Sequence, residues 1–290
     1  LVSITVPEVP RIEQDVFLDV RWTGYPHHMW HRSQPVNVEL RSDHEIAAMA
    51  EAGAVVGEAL RAVMASAAPG LSTADLDEIA SDVLATHGAT SPFLDYHPRW
   101  APVPFPAVLC ASVNDAVVHG IPTDQPLADG DLVSVDFGAT LRGWCGDAAR
   151  SFVVGTPRAE DVALIEATDA ALAAGIAAAR PGNTLGDLGH AIATTARRAG
   201  YGMLADHGGH GIGRTMHEAP HVPNVGKPGK GMKLRVGLVI AIEPMLIADG
   251  TDDYLHDPDG WTLRTATGAR AAHSEHTVAI TREGARILTV

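Results

Sequence analysis

The residues of this chain best able to do chemistry are carboxylates and histidines set at the ends of apolar strands. Asp136 and Asp147 lie in GDLVSVDFGATLRGWCGDAARSF, on two apolar-flanked strands joined by a turn near Leu141 to Gly143. In such a hairpin they are expected close to opposite one another, where like charges repel. A cation between them removes that cost, and a solvated face would equally tolerate them. GGHGIGRTMHEAP carries His210 and His217, seven residues apart, which is not the i, i+4 spacing of a helical zinc motif. Glu243 closes the apolar run VGLVIAIEP, and Glu275 stands in SEHTVAI just before another strand. A carboxylate at the end of a buried strand is costly unless paired or metal-bound. Asp136, Asp147, His210, Glu243 and Glu275 together offer four oxygen donors, one imidazole and no thiolate. That set suits two carboxylate-bridged divalent ions better than a cysteine-rich zinc site or a haem. Such a pair supplies an activated water and a polarised carbonyl, the requirements of amide hydrolysis. CASVNDAVVHGIP adds His119 before a Gly-Ile-Pro turn.

Two similar units must position these side chains. Ser42 and Glu45 form a capping box that opens an alanine-rich helical stretch ending at Pro69-Gly70. Thr156 followed by Pro157 opens a second stretch ending at Pro181-Gly182. At a constant offset of 112, Pro69, Gly70, Asp75, Leu76 and Gly88 coincide with Pro181, Gly182, Asp187, Leu188 and Gly200. Each helix pair is followed by Val- and Ile-rich strands, Leu132 to Phe137 and Val236 to Ile242. The expectation is one pseudo-symmetric α+β domain over residues 42–290, with halves of about 42–154 and 155–290 and a ligand cleft between them. Residues 1–41 read as an extension broken by Pro7, Pro10, Pro26 and Pro35, yet holding Phe17, Trp22, Tyr25 and Trp30. Pro7 and Pro10 have a PxxP spacing, and His27, His28 and His31 read as a solvated cluster rather than a metal site.

Composition removes whole classes of function. The 290 residues include 35 acidic and 21 basic side chains, a net charge of −14, and the lysines Lys227, Lys230 and Lys233 share one short loop. Binding to nucleic acid, which needs clustered basic residues, is not expected. The longest apolar runs fall well short of the roughly 20 residues that span a bilayer, so no membrane association is expected. Two cysteines, Cys110 and Cys145, and no basic-apolar leader pattern point to a reducing cytoplasm. GKPGKGM at Gly226 to Met232 lacks the end of a nucleotide loop, and the acidic Asp249 to Asp259 stretch lacks EF-hand spacing.

In their order and spacing, SVNDAVVHGIP, VDFGA, CGDAAR, GGHGIGRTMHEAP, IEPM and SEHTVAI resemble type I methionine aminopeptidases over about residues 42–290. The resemblance implies the pita-bread fold with a dinuclear metal site between its halves. It implies Asp136 as a ligand of one metal, Asp147 and Glu275 as bridges, and His210 and Glu243 as the rest of the second sphere. The ions would be Co, Mn, Fe or Zn. Glu243 would move a proton, and His119 and His217 would contact the scissile amide and its tetrahedral intermediate. The implied activity removes N-terminal methionine from nascent chains, before a small second residue, in a cytoplasmic monomer able to associate with ribosomes. The aromatic, proline-rich stretch 91–106 is longer than the family's usual Gly-Phe-Pro approach to the cysteine. Its Phe105, with Cys110, Met216 and Trp261, would receive the methionine side chain, since thioethers pack well on aromatic edges. Met216, Cys145 and Ser274 stand where many relatives carry Phe, His and a larger residue. The rival readings are an X-Pro aminopeptidase or prolidase of the same fold and a non-catalytic binding protein on this scaffold. A type II enzyme is disfavoured, because 25 residues between His217 and Glu243 leave no room for its helical insert.

Overall fold

The computed structural model describes residues 38–290. Pro7, Pro10, His27, His28 and His31 lie outside the described residues. The first elements are α1 (Asp43–Ser66), α2 (Thr73–His87), β1 (Leu109–Val113), β2 (Ala116–Val118), β3 (Leu132–Leu141) and β4 (Trp144–Val153). Next come α3 (Ala159–Ala178), α4 (Leu185–Arg198), β5 (Gly202–Met203), β6 (Gly208–Gly211), β7 (Glu218–Pro223), β8 (Val239–Ile242) and β9 (Met245–Ile247). The chain ends with β10 (Tyr254–His256), β11 (Leu263–Thr265), β12 (Ala271–His273), β13 (His276–Thr281) and β14 (Gly284–Ile287). The strands form four antiparallel sheets, ordered β1-β3-β4, β10-β11-β2, β12-β9-β5 and β14-β13-β8-β6-β7.

The helix starts follow from side chains that satisfy the first free N–H groups. At α1, Ser42 N–H donates to Glu45 Oε2 at 2.8 Å and Glu45 N–H returns to Ser42 Oγ at 3.4 Å. Ser72 with Asp75 repeats the device at α2 and Thr184 with Asp187 repeats it at α4, at the 112-residue offset. α3 departs from the expected start: its N-cap is Arg158, without a side-chain cap. Thr156 lies two residues before that cap, its N–H donating to Asp129 Oδ1 at 2.6 Å. The apolar run from Val236 also begins later than expected, because Gly237 adopts φ 93° and only Val239–Ile242 is strand.

The repeat continues into the sheets with a changed spacing. Gly70 N–H donates to Leu127 O at 2.9 Å, and Gly182 N–H donates to Leu234 O at 3.0 Å. From Leu127 and Leu234 onward the offset is 107, and it relates Gly130 to Gly237 and Asp136 to Glu243. Each half has a main core, with Val56, Leu76, Leu109, Val135 and Phe137 central to one and Leu164, Leu188, Ile192, Ile240 and Val278 to the other, and smaller clusters such as Ile46, Met49 and Trp144 with Ile212, Val239 and Leu288 join them. Two helices cover the strands in each half, which is the pita-bread architecture. No helix among the described residues is long and apolar enough to cross a membrane.

Candidate functional site

The strand ends of both halves meet at five side chains. β3 and β4 pair Asp136 with Ala149 and Gly138 with Asp147. The two aspartates are therefore diagonal neighbours rather than directly opposite, still on one face of the hairpin. Thr277 on β13 ties that hairpin to the second half: its Oγ1 accepts from Asp147 N–H at 2.9 Å and donates to Asp147 O at 2.8 Å. Glu275 N–H donates to Ala149 O at 3.0 Å, so Glu275 lies beside Asp147. Glu243 follows β8, with its carbonyl held by Asn224 Nδ2 at 2.9 Å.

His210 enters from β6, between glycines that only backbone contact explains. A Cβ on Gly209 would lie 2.1 Å from Ala241 O, and one on Gly211 would lie 2.1 Å from Ala219 O. The ring's Nδ1 bonds Gly211 O at 2.9 Å. A carbonyl only accepts, so Nδ1 carries the proton and Nε2 presents its lone pair. Nε2 lies 3.9 Å from Asp147 Oδ2 and 3.8 Å from Glu243 Oε1.

The electrostatics of this cluster call for a cation. Asp136 Oδ1, Asp147 Oδ1 and Glu275 Oε1 are buried and have no hydrogen-bond partner among the described residues. No Lys or Arg among the described residues ion-pairs with any of the four carboxylates. Burial lifts Asp136 to about 7, and burial followed by the neighbouring carboxylates lifts Asp147, Glu243 and Glu275 well above the usual range. Burial, followed by the neighbouring His217, drops His210 to about 3 and keeps it neutral, as a ligand must be. Hard oxygen donors with unsatisfied atoms, facing a neutral imidazole, fit a divalent cation. Asp147, His210 and Glu275 can each offer an atom within 4.8 Å of the others, and so can Glu243, His273 and Glu275. His273 was not singled out in the sequence; its signal is the His-x-Glu spacing, which places it on the Glu275 side of the chain.

A cavity of about 230 Å³ adjoins the cluster and brings every expected site residue together. Asp136, Asp147, His210, Glu243 and Glu275 share its lining with His119, His217, Cys110, Phe105, Met216 and Trp261. Phe93, Tyr96 and Trp100 complete the wall, whereas His97 turns to Ala101 O at 3.2 Å. His119 adopts φ 59°, a left-handed conformation uncommon for a residue with a Cβ. Burial lowers both His119 and His217 to about 4, so both rings are neutral at pH 7. His217 and Met216 ride on a turn closed by Glu218, whose Oε1 accepts from Arg214 N–H at 2.7 Å and Thr215 N–H at 3.1 Å. Arg41 ion-pairs with the other oxygen of Glu218 and lies over the Trp144 ring. The 91–106 stretch folds over the cavity. Trp261 Nε1–H donates to Val103 O at 3.0 Å, and the Trp100 ring stacks on His119 at 6.2 Å with a 26° interplanar angle.

A carboxylate-rich centre for divalent metal beside an apolar cavity, at the junction of two such halves, defines a metallopeptidase of the pita-bread type. The profile of metallopeptidase family M24 matches residues 47–282, and the chain belongs to that family. It is 54% identical to methionine aminopeptidase 1 of Mycobacterium tuberculosis over 260 residues, covering 87% of this chain and 95% of the relative. Against the methionine aminopeptidase of Aquifex aeolicus the identity is 45%, covering 87% and 98% of the two chains. The crystal structure of methionine aminopeptidase from Rickettsia prowazekii superposes with a TM-score of 0.84 at 34% identity, covering 88% of this chain and all of that one.

Proposed function

We propose that this enzyme is a methionine aminopeptidase that hydrolyses the first peptide bond of chains beginning with methionine, before a small second residue. The observation that carries the proposal is one cavity in which a buried donor cluster, two neutral histidines and an aromatic wall converge. Two divalent ions, Co, Mn, Fe or Zn, would be held by Asp136, Asp147, His210, Glu243 and Glu275. When bound, they would supply a water activated near neutral pH and polarise the scissile carbonyl.

The protein's own groups do the rest. Phe105, Cys110, Met216 and Trp261 receive the thioether side chain and exclude water around it. His119 and His217 are neutral, so they donate N–H bonds to the amide as its carbonyl oxygen gains charge, without a competing cation of their own. Glu243, its carboxyl pushed upward by burial, holds and passes on the proton that the leaving amine requires. The same proposal includes the division into an extension of residues 1–41 and a catalytic domain over 42–290. It also includes cytoplasmic, monomeric working on nascent chains with ribosome association.

Metal-loaded protein given Met-Ala-Ser, Met-Lys-Ser and Ala-Pro-Ser should release the first residue of Met-Ala-Ser alone. Cleavage confined to Ala-Pro-Ser would assign the chain to the X-Pro peptidases instead.

A further inference from the structure

His273 is 2% exposed, and its Nε2 has no hydrogen-bond partner among the described residues. Its backbone is fixed. The N–H donates to Ser151 Oγ at 2.9 Å, the carbonyl accepts from the same hydroxyl at 2.9 Å, and the residue pairs with Met245 on β9. The ring is thereby aimed at Glu243, with Nε2 lying 3.7 Å from Glu243 Oε2. That separation is too long for a hydrogen bond.

It does suit two donors on one ion. Donors roughly 2.1 Å from a shared metal stand about 3.0 Å apart at right angles and about 4.2 Å apart when opposite. The His210 separations of 3.9 Å and 3.8 Å and the His273 separation of 3.7 Å all fall in that interval. Glu243 turns Oε1 toward His210 and Oε2 toward His273. Glu275 belongs to both three-donor groups, so His273 joins the cluster through Glu243 and Glu275.

We propose that His273 is a sixth donor of the metal centre, an imidazole ligand on the Glu243–Glu275 side that gives the centre two nitrogens instead of one. This rests on the divalent-metal reading above and adds a donor to it. An extra imidazole favours Co, Fe and Zn over Mn, which prefers oxygen.

The test compares wild type, His273→Gln and His273→Ala. Each is stripped of metal, checked by thermal melting, and titrated separately with Co(II) and Mn(II) by calorimetry and visible absorption. Glutamine can still donate a hydrogen bond to Glu243 but cannot replace the ring. Both variants should bind Co(II) at least about tenfold more weakly, alter its visible spectrum, and lose less affinity for Mn(II). Wild-type Co(II) affinity and spectrum in His273→Gln, or equal losses for both metals, would overturn the proposal. A readout independent of folded variants is proton NMR of Co(II)-loaded wild type, where two strongly shifted imidazole N–H signals are expected and a single one contradicts the assignment. Failure of the wild type to bind either ion would sink the metallopeptidase reading itself; the other failures leave it standing.

Discussion

Burial lifts Asp136 to about 7, so in metal-free protein its folded form holds a proton that the unfolded form, near 3.8, has released. Stability from this group is therefore complete below about pH 4 and is lost as pH rises toward 7. The depressed histidines act in the opposite direction, so the comparison must isolate the aspartate. In chelator, Asp136→Asn should melt with the wild type at pH 4 and above it at pH 8. An advantage that shrinks with rising pH would contradict the assignment. His217→Ala should lower kcat on Met-Ala-Ser by about 10²–10³, the usual loss for one oxyanion-stabilising donor, with metal affinity kept. Weakened metal binding in that variant would mean that the residue is a ligand. The five candidate donors and His119 and His217 were legible because each lies in a motif or ends an apolar run. His273, the last residue of β12, was not, since its His-x-Glu spacing to Glu275 is common and singles it out only once Glu243 is seen across the fold.

At the scale of elements, the stretch 91–106 is what the sequence left least defined. Its prolines forbid regular structure, and pairwise periodicity says nothing about where such a segment docks. The docking comes from side chains distant in sequence. Trp261 holds Val103 O, and a Cβ on Gly260, which has φ 82°, would lie 2.3 Å from Pro102. The half-exposed Trp100 therefore forms a wall of the cavity beside His119. An aromatic contact of this kind contributes ~0.5–1.5 kcal/mol, so Trp100→Ala should raise KM for Met-Ala-Ser about two- to twelvefold with kcat nearly unchanged. A fall in kcat at constant KM would show that Trp100 works by holding His119. The hairpin was legible to its turn, but its register was not: strand patterns fix which face a residue takes, not which residue stands opposite.

The candidate donors divide between the halves, with Asp136 and Asp147 from the first and His210, Glu243 and Glu275 from the second. A bound cation would therefore tie together two halves that apolar clusters already join. Saturation to 100 times Kd should stabilise the folded protein by ~2.7 kcal/mol for one site, read as a rise in Tm over the chelated form and lost in Asp147→Asn; no rise in the wild type would mean that the ions do not bind the folded protein preferentially. The duplication was legible from helix caps because capping residues are local and few. The shift from 112 to 107 was not, because the connection before Leu127 is five residues longer than its counterpart before Leu234, and loops carry no periodicity. The proposed hydrolysis of the first peptide bond requires metal held by these donors. The decisive measurement follows methionine release from Met-Ala-Ser as Co(II) or Mn(II) is titrated into stripped wild type and stripped Asp147→Asn. Turnover should be absent without metal, full on loading the wild type, and almost nil in the variant at equal metal. Undiminished turnover in chelator, or wild-type turnover in Asp147→Asn, would contradict that requirement.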